Sequence, residues 1–400
     1  MNNITKGRDV ACSSMRIFHW AIDALKKERK KMKKIMKVIS LFVTTVIVFM
    51  QFLSITPVAA ETLRMLIWGE YATKEHQQIF IDLIKKKYHT ELKLDITFAK
   101  SNDDFYAALR DQKVDILSPT HQIPKDMRFK LIKLNLLLPL NLNNIPNYKN
   151  IIPAFQRLDY CTENNQVYGV PVANVPYGLA YNTSIVSKEP DSWNIFWKPE
   201  YKGKYCISNT HYEPNIYVTA LAMGIPRNQL GDYKTLNTQN FQKKLGQLVN
   251  HAKHFWGGIE TAKDLKGLAI ATAWGSALPQ LKEMGEIWKM AEPKEGITTG
   301  IDHFMISHTL KKKPHLKRIA EEWLNYLLSD NSQLYMARVR GLPPTIFTVK
   351  NLFSPEEIKA FHLDDMQYYK NQRVLWPVLG KLDRKGLQRL WNKALKQRSH

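Results

Sequence analysis

Apolar positions along residues 63–117 switch period several times. Leu63 to Trp68 is a compact apolar run with the look of a first strand, and His76 to Lys87 places Ile79, Ile81, Leu83 and Ile84 in a helical stretch. Leu92, Leu94, Ile96 and Phe98 alternate with polar residues and predict a second strand. Asp103 to Gln112 reads as a short helix around Phe105 and Leu109, and Val114 to Leu117 as a third strand. Strands alternating with helices imply βαβ units and a largely parallel sheet. Leu134 to Ile152 is loop-rich. A strand pair is expected near Val167 to Val172 and Tyr177 to Asn182, then a strand over Lys204 to Asn209 and an apolar helix from Ile216 to Gly224. Leu268 to Trp274 predicts a strand running into a helix from Ser276. His315 to Leu328 carries Leu316, Ile319, Trp323, Leu324, Leu327 and Leu328 on one helical face, and further helices fill Pro355 to Lys396. There is no internal repeat and no low-complexity tract.

The length of 400 residues accommodates two or three domains. A hydrophobic share of 44% with 24% charged residues excludes a polytopic membrane protein and a disordered chain. The balance of 58 Lys and Arg against 36 Asp and Glu gives +22, which on its face suggests nucleic acid. The position of the charge changes that picture. Eleven of the basic residues lie between Lys6 and Lys37, against Asp9, Asp23 and Glu28 alone. Val38 to Ala60 then carries no charge, contains the apolar run Leu41 to Met50, and ends Pro57-Val58-Ala59-Ala60. A basic start, an apolar core and a small-residue end make residues 1–60 a secretory signal with cleavage after Ala60. Met32-Lys33-Lys34 offers a second, more compact signal start. The same uncharged stretch is long enough for an uncleaved anchor, which would leave a membrane-tethered protein. Either way residues 61–400 face the outside, with the periplasm as the expected compartment and no nucleic acid as partner. Their surplus, 47 basic against 33 acidic residues, reads as a solvated basic face.

Three cysteines exclude a disulfide framework and a four-thiolate zinc ribbon. Cys12 falls in the signal. Cys161 and Cys206 remain, and the sequence leaves open whether they form a disulfide or stay buried thiols. No HExxH, GxSxG, P-loop or GxGxxG motif occurs, and no nucleophile sits beside a base. His251 and His254 have no carboxylate or thiolate at ligand spacing and read as surface residues. No catalytic residue, metal site or cofactor is therefore expected, and the chain does not read as an enzyme.

Val175 to Asn182 (Val-Pro-Tyr-Gly-Leu-Ala-Tyr-Asn), followed by Asp191-Ser-Trp-Asn-Ile-Phe-Trp-Lys-Pro-Glu-Tyr-Lys-Gly-Lys204, resembles the bacterial extracellular solute-binding family typified by spermidine/putrescine-binding periplasmic proteins. Leu66-Ile-Trp-Gly-Glu-Tyr71, Asp115 to Gln122 and Glu292 to Asp302 resemble the family's other landmarks in order and spacing. The resemblance implies an α/β, two-lobed periplasmic binding protein fold of type II, with two crossover strands and a ligand cleft between the lobes. Lobe 1 would be 61–172 and 300–345, and lobe 2 would be 173–299 and 346–400. It implies a monomer that hands its cargo to an ABC permease in the inner membrane.

By matching position, the family's cleft residues fall on Trp68, Glu70, Tyr71, Thr120, Glu213, Trp274 and Asp302. A linear polyamine needs carboxylates at its ammonium ends and aromatic faces along its methylenes. Glu213 and Asp302 supply the first; Trp68, Tyr71 and Trp274 supply the second. Trp193 and Trp197 read as packing residues. The departures are specific. Thr210 stands where the family has a second acid, Gly300 where it has a tryptophan, Leu342 where it has another aromatic, and Pro377 where it has a glutamine. An aromatic near Gln122 is also missing. The expected cargo is a small organic cation, putrescine or spermidine foremost. The alternatives are an amino-acid-like or opine-like solute, a metal or an anion on the same fold, or a tethered interaction protein derived from such a receptor.

Overall fold

The computed structural model describes residues 26–43, 60–69 and 71–398. The chain divides into a unit of residues 1–60 and a unit of residues 61–400. In the first, residues 26–43 are helical and solvent-exposed. The uncharged stretch 44–59, on which cleavage and anchoring turn, lies outside the described residues. Among those that are described, no helix is long and apolar enough to cross a membrane.

The second unit is built on a ten-stranded sheet. Its first part is the expected βαβ set: β1 (Glu61–Ile67), α1 (Lys74–Tyr88), β2 (Leu92–Phe98), α2 (Asn102–Arg110) and β3 (Ile116–Leu117). β1 pairs in parallel with β2 and with β3. The expected strand pair over 167–182 is instead one strand, β4 (Gly169–Asn182). Pro171 and Pro176 lie within it. β4 tolerates them because it changes partners along its length. Its first half pairs with β9 (Ile297–Ile306), and its second with β7 (Ile270–Ala273) and β8 (Trp288–Ala291). Pro171 lies beside a register shift at Asp302/His303, where a missing N–H costs little. The remaining parallel strands are β5 (Tyr205–Ser208) and β6 (His254–Trp256). α3 (Tyr212–Ala222) and α4 (Gln239–His251) cover that half. The sheet order is β2-β1-β3-β9-β4-β7-β5-β6.

Two large hydrophobic clusters flank the β4–β9 pair. The first gathers β1, α1 and α5 (Pro314–Leu327), where Trp323 meets Phe80 edge-on at 4.8 Å. The second gathers α3, α4, β5, β7 and α7 (Lys381–Lys396). Residues 346–369, expected with the second lobe, contribute Ile346, Val349, Phe353, Leu363, Tyr368 and Tyr369 to the first cluster. The reason is local pairing after α6 (Asp330–Arg340): the Ile152 N–H donates to the Thr345 carbonyl, and the Phe347 N–H to that of Asn150. The chain reaches the second cluster at Val374, within β10 (Arg373–Leu375), which pairs in parallel with β9. β10 is thus a third segment at the crossover, beside β4 and β9. Cys161 and Cys206 are buried free thiols in different clusters. Trp193 is fully buried, and its indole donates to the Gly296 carbonyl at 2.9 Å. His254 bonds the Asp264 carbonyl at 2.8 Å.

Candidate functional site

In an open α/β sheet, backbone groups at the carboxyl ends of parallel strands converge on a crevice where strand order reverses. Here Trp68 follows β1, Thr120 follows β3, Thr210 follows β5, and Trp274 follows β7. The four meet at one cleft of about 440 Å³. Six of the seven expected residues line it: Trp68, Tyr71, Thr120, Glu213, Trp274 and Asp302. The seventh, Glu70, lies outside the described residues.

Asp302 is the polar centre. It is only 5% exposed and sits at the register shift of β9 against β4. The Tyr71 hydroxyl donates to its Oδ2 at 2.7 Å, and the Thr120 hydroxyl to Oδ1 at 2.8 Å. Burial pushes the carboxyl up to about 6, against the pull of those two bonds. Tyr71 is itself buried edge-on to Phe304, so three residues from three elements form one rigid group.

Glu213 lies in the first turn of α3, where the helix dipole favours a negative charge. Burial raises its carboxyl above the ordinary range, while Arg384 and the Tyr212 hydroxyl oppose the rise. Glu213 also borders a side pocket of about 100 Å³. Thr210, in the place of a second acid, accepts the Gly258 N–H at 2.9 Å and so ties down the neighbouring loop.

The aromatic walls are braced from behind. Trp68 packs edge-on to Phe105 at 5.1 Å, and its backbone N–H donates to the Ser118 hydroxyl at 3.0 Å. Trp274 meets Tyr177 at 5.0 Å and His211 at 5.1 Å, both edge-on. Tyr177, fully buried on β4, in turn bonds Asn215 and Thr272 at 2.7 Å each.

The structure adds residues that the sequence reading left out. Trp376, just past β10, lines the cleft and meets Trp274 edge-on at 5.7 Å. Its neighbour Pro377 is the position where the family has a glutamine. Lys100 and Arg340 bring cationic side chains to the lining. Glu260 sits behind the Trp274 turn. Its Oε1 accepts the N–H groups of Gly275 and Ser276 at 2.8 Å each, and Oε2 is buried without a partner. Burial outweighs those bonds and pushes this carboxyl up to about 7. No local motif marks Glu260, because its partners lie about fifteen residues away.

A half-open cleft with one buried carboxylate, a second half-buried one and three tryptophans can hold a small ligand carrying an amine. Among the described residues it offers no group of metal-binding side chains.

Residues 111–371 match the family described as bacterial extracellular solute-binding protein. The spermidine/putrescine-binding periplasmic protein of Salmonella typhimurium is 22% identical over 302 residues, covering 74% of this chain and 81% of that protein. The spermidine/putrescine transporter substrate-binding protein of Streptococcus pneumoniae superposes with a TM-score of 0.67 at 19% identity, over 85% of this chain and 100% of that one. A GABA receptor structure superposes with a TM-score of 0.61 at 17% identity, over 85% and 99% respectively. The chain belongs to the bacterial extracellular solute-binding protein family, and it adopts the type II periplasmic binding protein fold that its sequence resemblance implied.

Proposed function

We propose that this protein is the exported receptor of an ABC transporter, which captures a small organic cation of the putrescine or spermidine class and delivers it to a permease. The single observation that carries the reading is Asp302, a buried carboxylate fixed by Tyr71 and Thr120 at the cleft between tryptophan walls. An ammonium group placed there makes charge-assisted hydrogen bonds worth about 1.5–3 kcal/mol. Each aromatic face adds roughly 0.5–2 kcal/mol. Glu213 would receive the second ammonium group. Lobe closure about the β4, β9 and β10 segments would then exclude water.

A second reading is favoured by Lys100 and Arg340, which place positive charge on the same lining as the two carboxylates. Such a cleft suits a zwitterion with an ammonium group at Asp302 and a carboxylate opposite. The similar GABA receptor fold keeps that class in view.

The test is calorimetric titration of the purified protein, freed of carried-over ligand by unfolding and refolding. Putrescine, spermidine and 4-aminobutanoate are the probes, with Asp302→Asn as control. Micromolar binding of a diamine, lost in the control, supports the first reading. Preference for 4-aminobutanoate supports the second. No heat with any of the three sinks both. Mass spectrometry of the exported protein tests the signal reading, for which Glu61 is the expected first residue.

A further inference from the structure

Gly300 lies in β9, two residues before Asp302. A Cβ there would meet Val175 Cγ2 at 2.9 Å, Thr120 Cγ2 at 3.1 Å and Trp376 Cζ3 at 3.3 Å. A side chain at 300 meets Val175 and Thr120 first, and one as large as an indole also needs the space that Trp376 occupies. Trp376 reaches this point from far along the chain. Thr299 is in register with Leu375, and the Trp376 N–H donates to the Thr299 carbonyl at 3.1 Å.

Two side chains fasten the segment from the other side. The Ile301 N–H donates to His121 Nδ1 at 3.2 Å, so in the neutral ring Nε2 carries the proton and donates to the Trp376 carbonyl at 3.0 Å. Gln122 Nε2 donates to the Pro377 carbonyl at 3.1 Å. His121 and Gln122 directly follow Thr120, which bonds Asp302. The same loop therefore positions both the carboxylate and the indole. The segment also joins the two cores, with Tyr368 and Tyr369 in one and Leu379 in the other.

We propose that Trp376 is a specificity-determining wall of the cleft, carried by this C-terminal strap into the space that Gly300 leaves open. Its indole sets which cargo lies against Asp302. The inference rests on the proposed binding role of the cleft, and its test separates the two.

Wild type, Gly300→Trp, Trp376→Ala and the double variant form one cycle, read by melting temperature and by titration with putrescine, spermidine and 4-aminobutanoate. Gly300→Trp alone overpacks the site and lowers the melting temperature by roughly 2–6 °C. The double variant melts above Gly300→Trp, because the two indoles compete for one space. Trp376→Ala weakens the bound probe roughly three- to thirtyfold and changes the order of preference among the three. The double variant restores the affinity. Melting shifts that simply add, or a Trp376→Ala protein with unchanged affinity and order, overturn the proposal. If Gly300→Trp does not fold, Gly300→Ala takes its place in the cycle. If the wild type binds no probe, the cargo reading fails and the specificity role with it, and the melting cycle alone decides the shared space: additive shifts overturn the seating of Trp376 beside Gly300 and non-additive shifts uphold that seating.

Discussion

Burial makes the charged form of Asp302 costly. Its carboxyl rises from an ordinary 3.8 to about 6, because burial outweighs the bonds from Tyr71 and Thr120. Between those values the folded chain holds a proton that the unfolded chain releases. Stability therefore falls as pH rises through that window and stays at the lower level above it. Two pH units correspond to about 3 kcal/mol. Asp302→Asn removes the buried charge but leaves an amide N–H₂ facing one of two hydroxyls, a misfit that costs about 1 kcal/mol. At pH 7.5 the variant should be more stable than wild type by about 1–2 kcal/mol, and at pH 4 that advantage should disappear. Binding moves the other way. At pH 5 only about a tenth of the wild-type cleft carries the charge that an ammonium group needs, so apparent affinity should fall roughly tenfold from its value at pH 7.5. Urea unfolding of both proteins at the two pH values, with titration of the wild type at pH 5 and 7.5, measures every quantity. Equal destabilisation of the variant at both pH values would refute the electrostatic account of this carboxyl. A wild-type affinity unchanged at pH 5 would refute its role in holding an ammonium group.

Glu260 has the same sign in a higher window. Its carboxyl is raised from 4.5 to about 7, so it contributes a loss of stability as pH rises between them. Glu260→Gln should flatten that part of the stability curve, and an unchanged slope in urea unfolding from pH 5 to 7.5 would contradict the assignment. Trp323 is fully buried against Phe80, and Trp323→Ala should cost about 3–5 kcal/mol. A loss under 1 kcal/mol in the same assay would mean that α5 does not anchor the first core. Cys161 and Cys206 are buried free thiols whose proton affinity burial raises. Reductant should leave the melting temperature unchanged, and thiol labelling should proceed only on unfolding; a reductant-sensitive melt would show a disulfide instead.

Local pattern was enough for the elements that a single periodicity defines. The alternation at Leu92, Leu94, Ile96 and Phe98 and the apolar face of Leu316 to Leu327 become β2 and α5, because each segment has a single period, and α5 buries its apolar face in the first core. The ordered motifs from Trp68 to Asp302 are enough for the family and for six residues of the cleft lining. Cleft residues just past parallel strands are legible because strand ends converge there whatever the loops contain.

What the sequence could not decide is where distant segments meet. The strand pair expected over 167–182 becomes the single strand β4 only once its two sets of partners are known. Residues 346–369 look continuous with the C-terminal helices until Thr345 and Phe347 bond Ile152 and Asn150. Gly300 reads as a missing wall, and only the packed structure puts Trp376 beside it. The raised carboxyls of Asp302 and Glu260 likewise exist only after folding, since their cause is exclusion of water by residues far away in the chain. Periodicity encodes which face a segment buries. The company it keeps there is fixed by the competition of all such faces for one interior, and that competition is settled only in three dimensions.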